Sequence, residues 1–166
     1  MTIKQSVHAI FIQLEDSLVQ LSSQQYCQKK INTLSGASIW QHVRHVVEMF
    51  ICLQDGYTSG IVNYENRKRD ITIETLKGTA IVIMNKINSA LLNENKVLVL
   101  EAGFYENSDE LNKIPTKYFR EIACNLEHAF HHMVLIKIAV NKVPDTQLRD
   151  GYGVASSKLK YRKETV

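Results

Sequence analysis

Apolar residues recur at intervals of three and four positions along four stretches of the chain, and this spacing predicts four helices. The first stripe consists of Val7, Ile10, Phe11, Leu14, Leu18 and Leu21, and the second of Ile39, Val43, Val46, Val47, Phe50 and Leu53. The third consists of Ile73, Leu76, Ala80, Ile83, Ile87 and Leu91, and the last of Ile122, Leu126, Ala129, Met133, Ile136 and Val140. Four helices at this chain length predict an all-α fold, a four-helix bundle.

Short local signals predict where these helices begin and end. Ser38 precedes the second stripe and Gln41 follows three residues later, which is a capping-box arrangement. The second helix is expected to end near Asp55 and Gly56. The longest helix is expected over residues 118 to about 141, with Pro144 stopping it, because proline disrupts a helix interior.

The segments between the stripes predict smaller elements. Residues 63–70 are polar and charged, and are expected to form a connection. Residues 97–100 are short, apolar and β-branched, which predicts the start of a small β-hairpin with its return arm near residues 113–115. The tail from Ser156 is expected to form a short C-terminal helix with a basic face of Lys158, Lys160, Arg162 and Lys163.

Composition supports one helical domain over residues 1–166. Of the 166 residues, 45% are hydrophobic, while there are only 7 glycines and 2 prolines. Sparse helix breakers favour long helices over many short strands. The formal charge of +3 is too small to indicate nucleic-acid binding, which needs a concentrated basic face.

Three observations predict a cytoplasmic protein without membrane contact. The N-terminal segment carries Glu15 and Asp16 and therefore differs from a secretory signal. No apolar run approaches the roughly 20 residues that span a bilayer. Cys27, Cys52 and Cys124 are widely spaced, which favours reduced thiols over a disulfide framework.

Histidines are the chemically most informative residues. Five of the six lie in two groups: His42 and His45 in the second predicted helix, and His128, His131 and His132 in the long one. The four-residue spacing of His128 and His132 places both imidazoles on one helix face, where they can bind one ion. A third imidazole from a facing helix would complete a site with open positions. His131 is also compatible with a surface position, and His42 with capping or with pairing to an acid.

Several motifs resemble those of the DinB-like (DinB/YfiT) family. Residues 38–46, SIWQHVRHV, resemble its second-helix motif, and REI at 120–122 followed by HAFHH at 128–132 resembles its later-helix motif. The basic segment 64–70 and the sequence YGVASS at 152–157 resemble one branch of the family. These motifs cover most of the chain in the expected order.

The resemblance implies a four-helix bundle with a divalent metal ion bound by His45, His128 and His132. His42 is a less favoured alternative to His45, and His131 is expected outside the site. One departure is Glu127, which stands where a small residue is typical and places an acid beside the site. Zinc, nickel and iron are the expected metals, with copper also compatible with three imidazoles.

Several other residues near the histidines are weaker candidates for the site. Glu48 either orients the free ring nitrogen of His45 or is an exposed helix acid. Glu121 and Asn125 precede His128 by two turns and one turn, and are expected to line the same cavity. Residues 67–69, Arg-Lys-Arg, either hold an anionic substrate or form a solvated run of charges. Trp40 and Tyr64 are interpreted as packing residues.

Two functions follow from the resemblance. The first is a metal-dependent enzyme of the thiol S-transferase or hydrolase type, acting on a small-molecule substrate and using a low-molecular-weight thiol or water. The alternative is a non-catalytic metal-binding or stress-associated protein, since fold does not determine function. Either function is compatible with a homodimer.

Overall fold

The first two apolar stripes form helices α1 (Ile3–Val19) and α2 (Ile39–Ser59). These and all other features come from a computed structural model, which describes residues 2–23, 25, 36–103, 110–143, 145–155 and 161. The predicted start of α2 is confirmed, because the Gln41 side chain accepts a hydrogen bond from the Ser38 N–H at 3.0 Å. The helix ends later than predicted, at Gly60, whose φ of 84° is readily adopted by glycine.

The third stripe forms two helices, so the prediction of one continuous helix is wrong. Helix α3 (Ile71–Thr75) and helix α4 (Lys77–Ala90) are separated by Leu76, whose backbone is extended. Asp70 caps α3 by accepting a hydrogen bond from the Thr72 N–H at 2.8 Å. Glu74 of α3 forms an ion pair with Arg44 of α2. This ion pair fixes α3 against α2 independently of α4. Leu76, expected in the core, is consequently 58% exposed.

A small three-stranded sheet connects the helices. Strand β1 (Ile61–Val62) pairs in parallel with β2 (Val97–Ala102), and β2 pairs antiparallel with β3 (Asn112–Lys117). The predicted hairpin is confirmed, and the register places Val97 opposite Lys117. The sequence did not predict β1. The all-α class is therefore corrected to a mostly helical fold with a small sheet in the order β1-β2-β3.

The last stripe forms helix α5 (Tyr118–Val140), which begins where β3 ends. All six residues of its predicted stripe are buried. Helix α5 packs against α1 and α2, and α4 packs against the same two helices. This confirms a mostly helical protein, while the four-helix bundle stays a prediction. The predicted stop at Pro144 and the predicted C-terminal basic helix lie outside the described residues, apart from residue 161.

None of the helices in the described part of the chain is both long and apolar enough to cross a membrane. Cys52 and Cys124 are free thiols, and Cys27 lies outside the described residues.

Replacing Gly56 with alanine is expected to lower the free energy of unfolding by about 1–3 kcal/mol, the usual cost of overpacking. A Cβ at this position would lie 2.7 Å from the Ile61 carbonyl oxygen and 2.6 Å from Cγ2 of Val62, so β1 would have to move away from α2. Gly78→Ala is the matched control, because nothing lies within 4 Å of its added Cβ. It should stabilise α4 by up to about 1 kcal/mol. Urea unfolding of both variants measures the difference, and equal stabilities would contradict the predicted clash.

Candidate metal centre

Three imidazoles meet where α2 packs against α5. His45 lies on α2, and His128 and His132 lie one turn apart on α5. The Nε2 atoms of His45 and His128 are 2.7 Å apart, and those of His128 and His132 are 3.1 Å apart. Each residue offers one nitrogen, and the three nitrogens lie within 4.8 Å of one another. The structure thus brings together the three residues that the sequence singled out, in a group that could hold a metal ion.

His42 and His131 lie beside this group and do not belong to it. Nδ1 of His42 is 2.9 Å from Nδ1 of His132. Within the described part of the chain, the buried Nε2 of His42 has no hydrogen-bond partner. His131 is exposed, and its ring centre is 6.4 Å from that of His128. His42 is therefore a neighbour of His132 in the structure, and the choice of His45 over His42 as a metal ligand stays a prediction.

The second ring nitrogen of His45 is contacted by Arg67. Nη2 of Arg67 donates a hydrogen bond to Nδ1 of His45 at 2.8 Å, and its Nη1 donates to the Tyr64 carbonyl oxygen at 2.9 Å. Arg67 is the one residue of the basic run at 67–69 that is partly buried, since Lys68 and Arg69 are exposed. The sequence analysis interpreted Arg67 either as a substrate-binding residue or as part of a solvated run of charges. The contact between Arg67 and His45 could not be predicted from the sequence, because the connection at residues 63–70 has no periodic pattern.

Glu48 adopts neither of the roles expected for it. It is 2% exposed, which rules out a solvated helix acid, and Arg67 occupies the contact with His45. Its carboxylate lies 3.5 Å from Nε of Arg44 and 3.4 Å from Nε of Arg67. Glu48 also accepts a hydrogen bond from the Asp70 N–H at 2.9 Å. A buried ion-pair network therefore lies behind His45.

Two polar residues of α5 that precede His128 are also buried. The Glu121 carboxylate accepts hydrogen bonds from the Tyr64 hydroxyl at 3.1 Å and from the Thr116 hydroxyl at 2.6 Å. Asn125 donates to the Met49 carbonyl oxygen of α2 at 3.2 Å. Both residues are buried on α5, and their expected place in a cavity shared with His128 stays a prediction. Tyr64, interpreted as a packing residue, also forms a hydrogen bond. Glu127, in contrast, is exposed.

The surroundings keep these histidines in their neutral form. Burial, with the Arg67 guanidinium and neighbouring imidazoles adding to it, lowers the pKa of His45 to about 4. Burial and the neighbouring imidazoles lower the pKa of His132 to about 3, and burial also lowers the pKa values of His128 and His42. A neutral imidazole has a free electron pair for a metal ion. Three such donors on two helices fit a divalent ion and leave positions open for other ligands.

These lowered pKa values predict that the metal-free protein loses stability as the pH falls. In the unfolded chain a histidine has a pKa near 6.5, so between about pH 6.5 and pH 4 the unfolded state binds more protons than the folded state. Stability should therefore be complete above about pH 6.5 and decrease below it, by up to about 1.4 kcal/mol per pH unit for each imidazole. Urea unfolding in the presence of a chelator at several pH values measures this slope.

The matched variant for this measurement carries His45→Gln and His132→Gln. It should show a flatter profile between about pH 6.5 and 4.5, above the range in which carboxylates titrate. An identical slope in both proteins would assign the acid sensitivity to other groups.

Together, the helices, the small sheet and the histidine group define a mostly helical protein with a candidate metal centre. The structure is similar to that of the DinB-like protein YjoA from Bacillus subtilis, with a TM-score of 0.61 and 16% sequence identity. The similarity covers 90% of this chain and 97% of the Bacillus chain. It confirms the DinB-like fold that the sequence motifs implied. No family model matches the chain, and a search of curated proteins also found no match.

Proposed function

We propose that this protein binds one divalent metal ion through His45, His128 and His132, in a four-helix bundle of the DinB-like type. The observation that carries the proposal is the convergence of three Nε2 atoms from two helices, at 2.7 and 3.1 Å. Three imidazoles without a carboxylate or thiolate in the group suit zinc, nickel or iron. The imidazole rings are only partly buried, so ligands from solvent can reach the site.

The helices and the neighbouring side chains support this role. Because α2 and α5 pack against each other, the three rings are held close together before an ion arrives. Metal-binding histidines usually donate their second N–H to an acceptor, which fixes the orientation of the ring. With an ion at Nε2 of His132, the Nδ1–H of that ring would donate to Nδ1 of His42, which is 2.9 Å away. His42 would thus orient His132 without binding the ion itself.

The proposal includes a reaction class, which rests on the open coordination positions. A divalent ion supplies a Lewis acid that lowers the pKa of a thiol or a water molecule bound to it. We therefore favour a thiol S-transferase or hydrolase that acts on a small-molecule substrate over a non-catalytic metal-binding protein. Beside this centre, the buried Glu48 carboxylate pairs with Arg67, the residue that contacts His45.

Elemental analysis of protein purified without a histidine tag tests metal binding and identifies the ion. One zinc, nickel or iron ion per chain is the expected result. Metal content near zero, together with no heat of Zn²⁺ binding in calorimetry, would contradict the proposal.

Cobalt substitution tests the open position. Addition of a low-molecular-weight thiol such as 2-mercaptoethanol to the Co²⁺ protein should produce a thiolate-to-cobalt charge-transfer band. A Co²⁺ spectrum that thiol leaves unchanged would contradict the thiol-transferase reaction and leave hydrolysis or a non-catalytic role.

A further inference from the structure

The contact between Arg67 and His45 determines where the proton of His45 lies. A guanidinium group is only a donor of hydrogen bonds. Since Arg67 donates to Nδ1 of His45 at 2.8 Å, this nitrogen uses its electron pair as the acceptor. The neutral ring therefore carries its proton on Nε2, which faces Nε2 of His128 at 2.7 Å.

This tautomer is the wrong one for a metal ion at Nε2. A metal ion needs the electron pair of Nε2, and the ring proton must then lie on Nδ1. An Nδ1–H group that faces a guanidinium places two donors against each other. The hydrogen bond from Arg67 and an ion bound at Nε2 of His45 consequently exclude one another.

Glu48 offers an alternative acceptor for Arg67. Its Oε2 atom is buried, has no hydrogen-bond partner among the described residues and lies 3.4 Å from Nε of Arg67. A small rotation of the guanidinium would therefore exchange His45 for the Glu48 carboxylate. The hydrogen bond from Nη1 of Arg67 to the Tyr64 carbonyl oxygen can hold the side chain in place during this change.

We propose that Arg67 is a positioning residue that competes with the metal ion for His45, and that it turns to Glu48 when the ion is bound. This inference rests on the proposed metal-binding function and extends it. Arg67 lowers the affinity of the centre for metal, because loading has to break a hydrogen bond and move the proton of His45. His42 has the opposite effect, since it can accept the Nδ1–H of metal-bound His132.

Nitrogen-15 NMR of the imidazole rings tests the first half of this proposal in the wild-type protein. In the metal-free state at pH 7.5, His45 should be protonated at Nε2 and should accept a hydrogen bond at Nδ1. After addition of Zn²⁺ the proton should lie on Nδ1. An Nδ1–H tautomer of His45 in the metal-free wild type would overturn the proposal without requiring any variant.

Zn²⁺ affinity tests the second half. Arg67→Met keeps much of the length of the side chain and removes its donors, and it should bind Zn²⁺ about tenfold more tightly, the equivalent of one hydrogen bond from a charged group. Lys68→Met is the matched control, because it removes the same charge from the exposed neighbour and leaves His45 untouched. The gain of Arg67→Met should clearly exceed that of Lys68→Met.

The two measurements separate this proposal from the proposed function. Equal gains in both variants would show a general charge effect and overturn competition by Arg67, while metal binding itself would stand. Absence of Zn²⁺ binding in the wild type and in Arg67→Met would overturn both proposals.

Discussion

Replacing His128 and His132 together with alanine is expected to reduce the affinity for Zn²⁺ by at least about a hundredfold. Loss of a residue that only hydrogen-bonds to a metal ligand typically costs about 10–100-fold in metal affinity, and this variant loses two of the three proposed ligand nitrogens. His45 would remain as a single imidazole, still held by Arg67 in the tautomer unsuited to Nε2 binding. Isothermal titration calorimetry of chelator-treated protein measures the change, and circular dichroism verifies that the helices are retained.

His131→Ala is the matched control for the double variant. His131 neighbours His132 on α5, but its side chain is exposed and outside the group of three nitrogens. Its replacement should leave Zn²⁺ affinity nearly unchanged. Unaltered metal binding in the double variant would place the metal site elsewhere.

Much of the candidate site could be predicted, because helical spacing carries three-dimensional information. A four-residue interval places His128 and His132 on one face whatever the rest of the protein does. The choice of His45 over His42 came from the family resemblance, since spacing alone leaves both open. In the structure, His45 belongs to the group of three imidazoles, and His42 contacts His132 of that group.

The fold was predictable where a stripe is long and uninterrupted. The buried positions of α1, α2 and α5 follow the predicted periodicity. The third stripe predicted one continuous helix because Ile73 and Ala80 are seven residues apart, which is close to two helical turns. The two residues therefore fit one helical pattern, although the helix breaks at Leu76 between them. Strand β1 has two residues, too few to show the alternation of apolar and polar side chains that is typical of a strand. Its parallel partner β2 lies far along the sequence.

The network behind His45 could not be predicted, because its members come from three separate segments. Arg44 and Glu48 lie on α2, Arg67 in the connection and Glu74 on α3. A polar residue reveals in sequence neither its burial nor a distant partner.

Glu48 holds this network together, since it lies between two guanidinium groups. Its side chain is 1% exposed, and those of Arg44 and Arg67 are 18% and 12% exposed. Removing one partner from a buried ion pair is strongly destabilising, because the remaining charge keeps its desolvation cost without compensation. Removing both partners together can be nearly neutral. The large cost therefore arises when one charge stays buried without its partner.

Glu48→Ala is accordingly expected to lower the free energy of unfolding of the metal-free protein by about 3–5 kcal/mol. It leaves Arg67 unpaired and the Asp70 N–H without its acceptor, and Arg44 retains only Glu74. Glu48→Gln should cost less, because the amide oxygen can still accept from Asp70. Glu127→Ala, an exposed glutamate on α5, should change stability by no more than about 0.5 kcal/mol. Urea unfolding followed by Trp40 fluorescence measures all three variants, and a Glu48→Ala protein as stable as Glu127→Ala would show that the network contributes nothing to the fold.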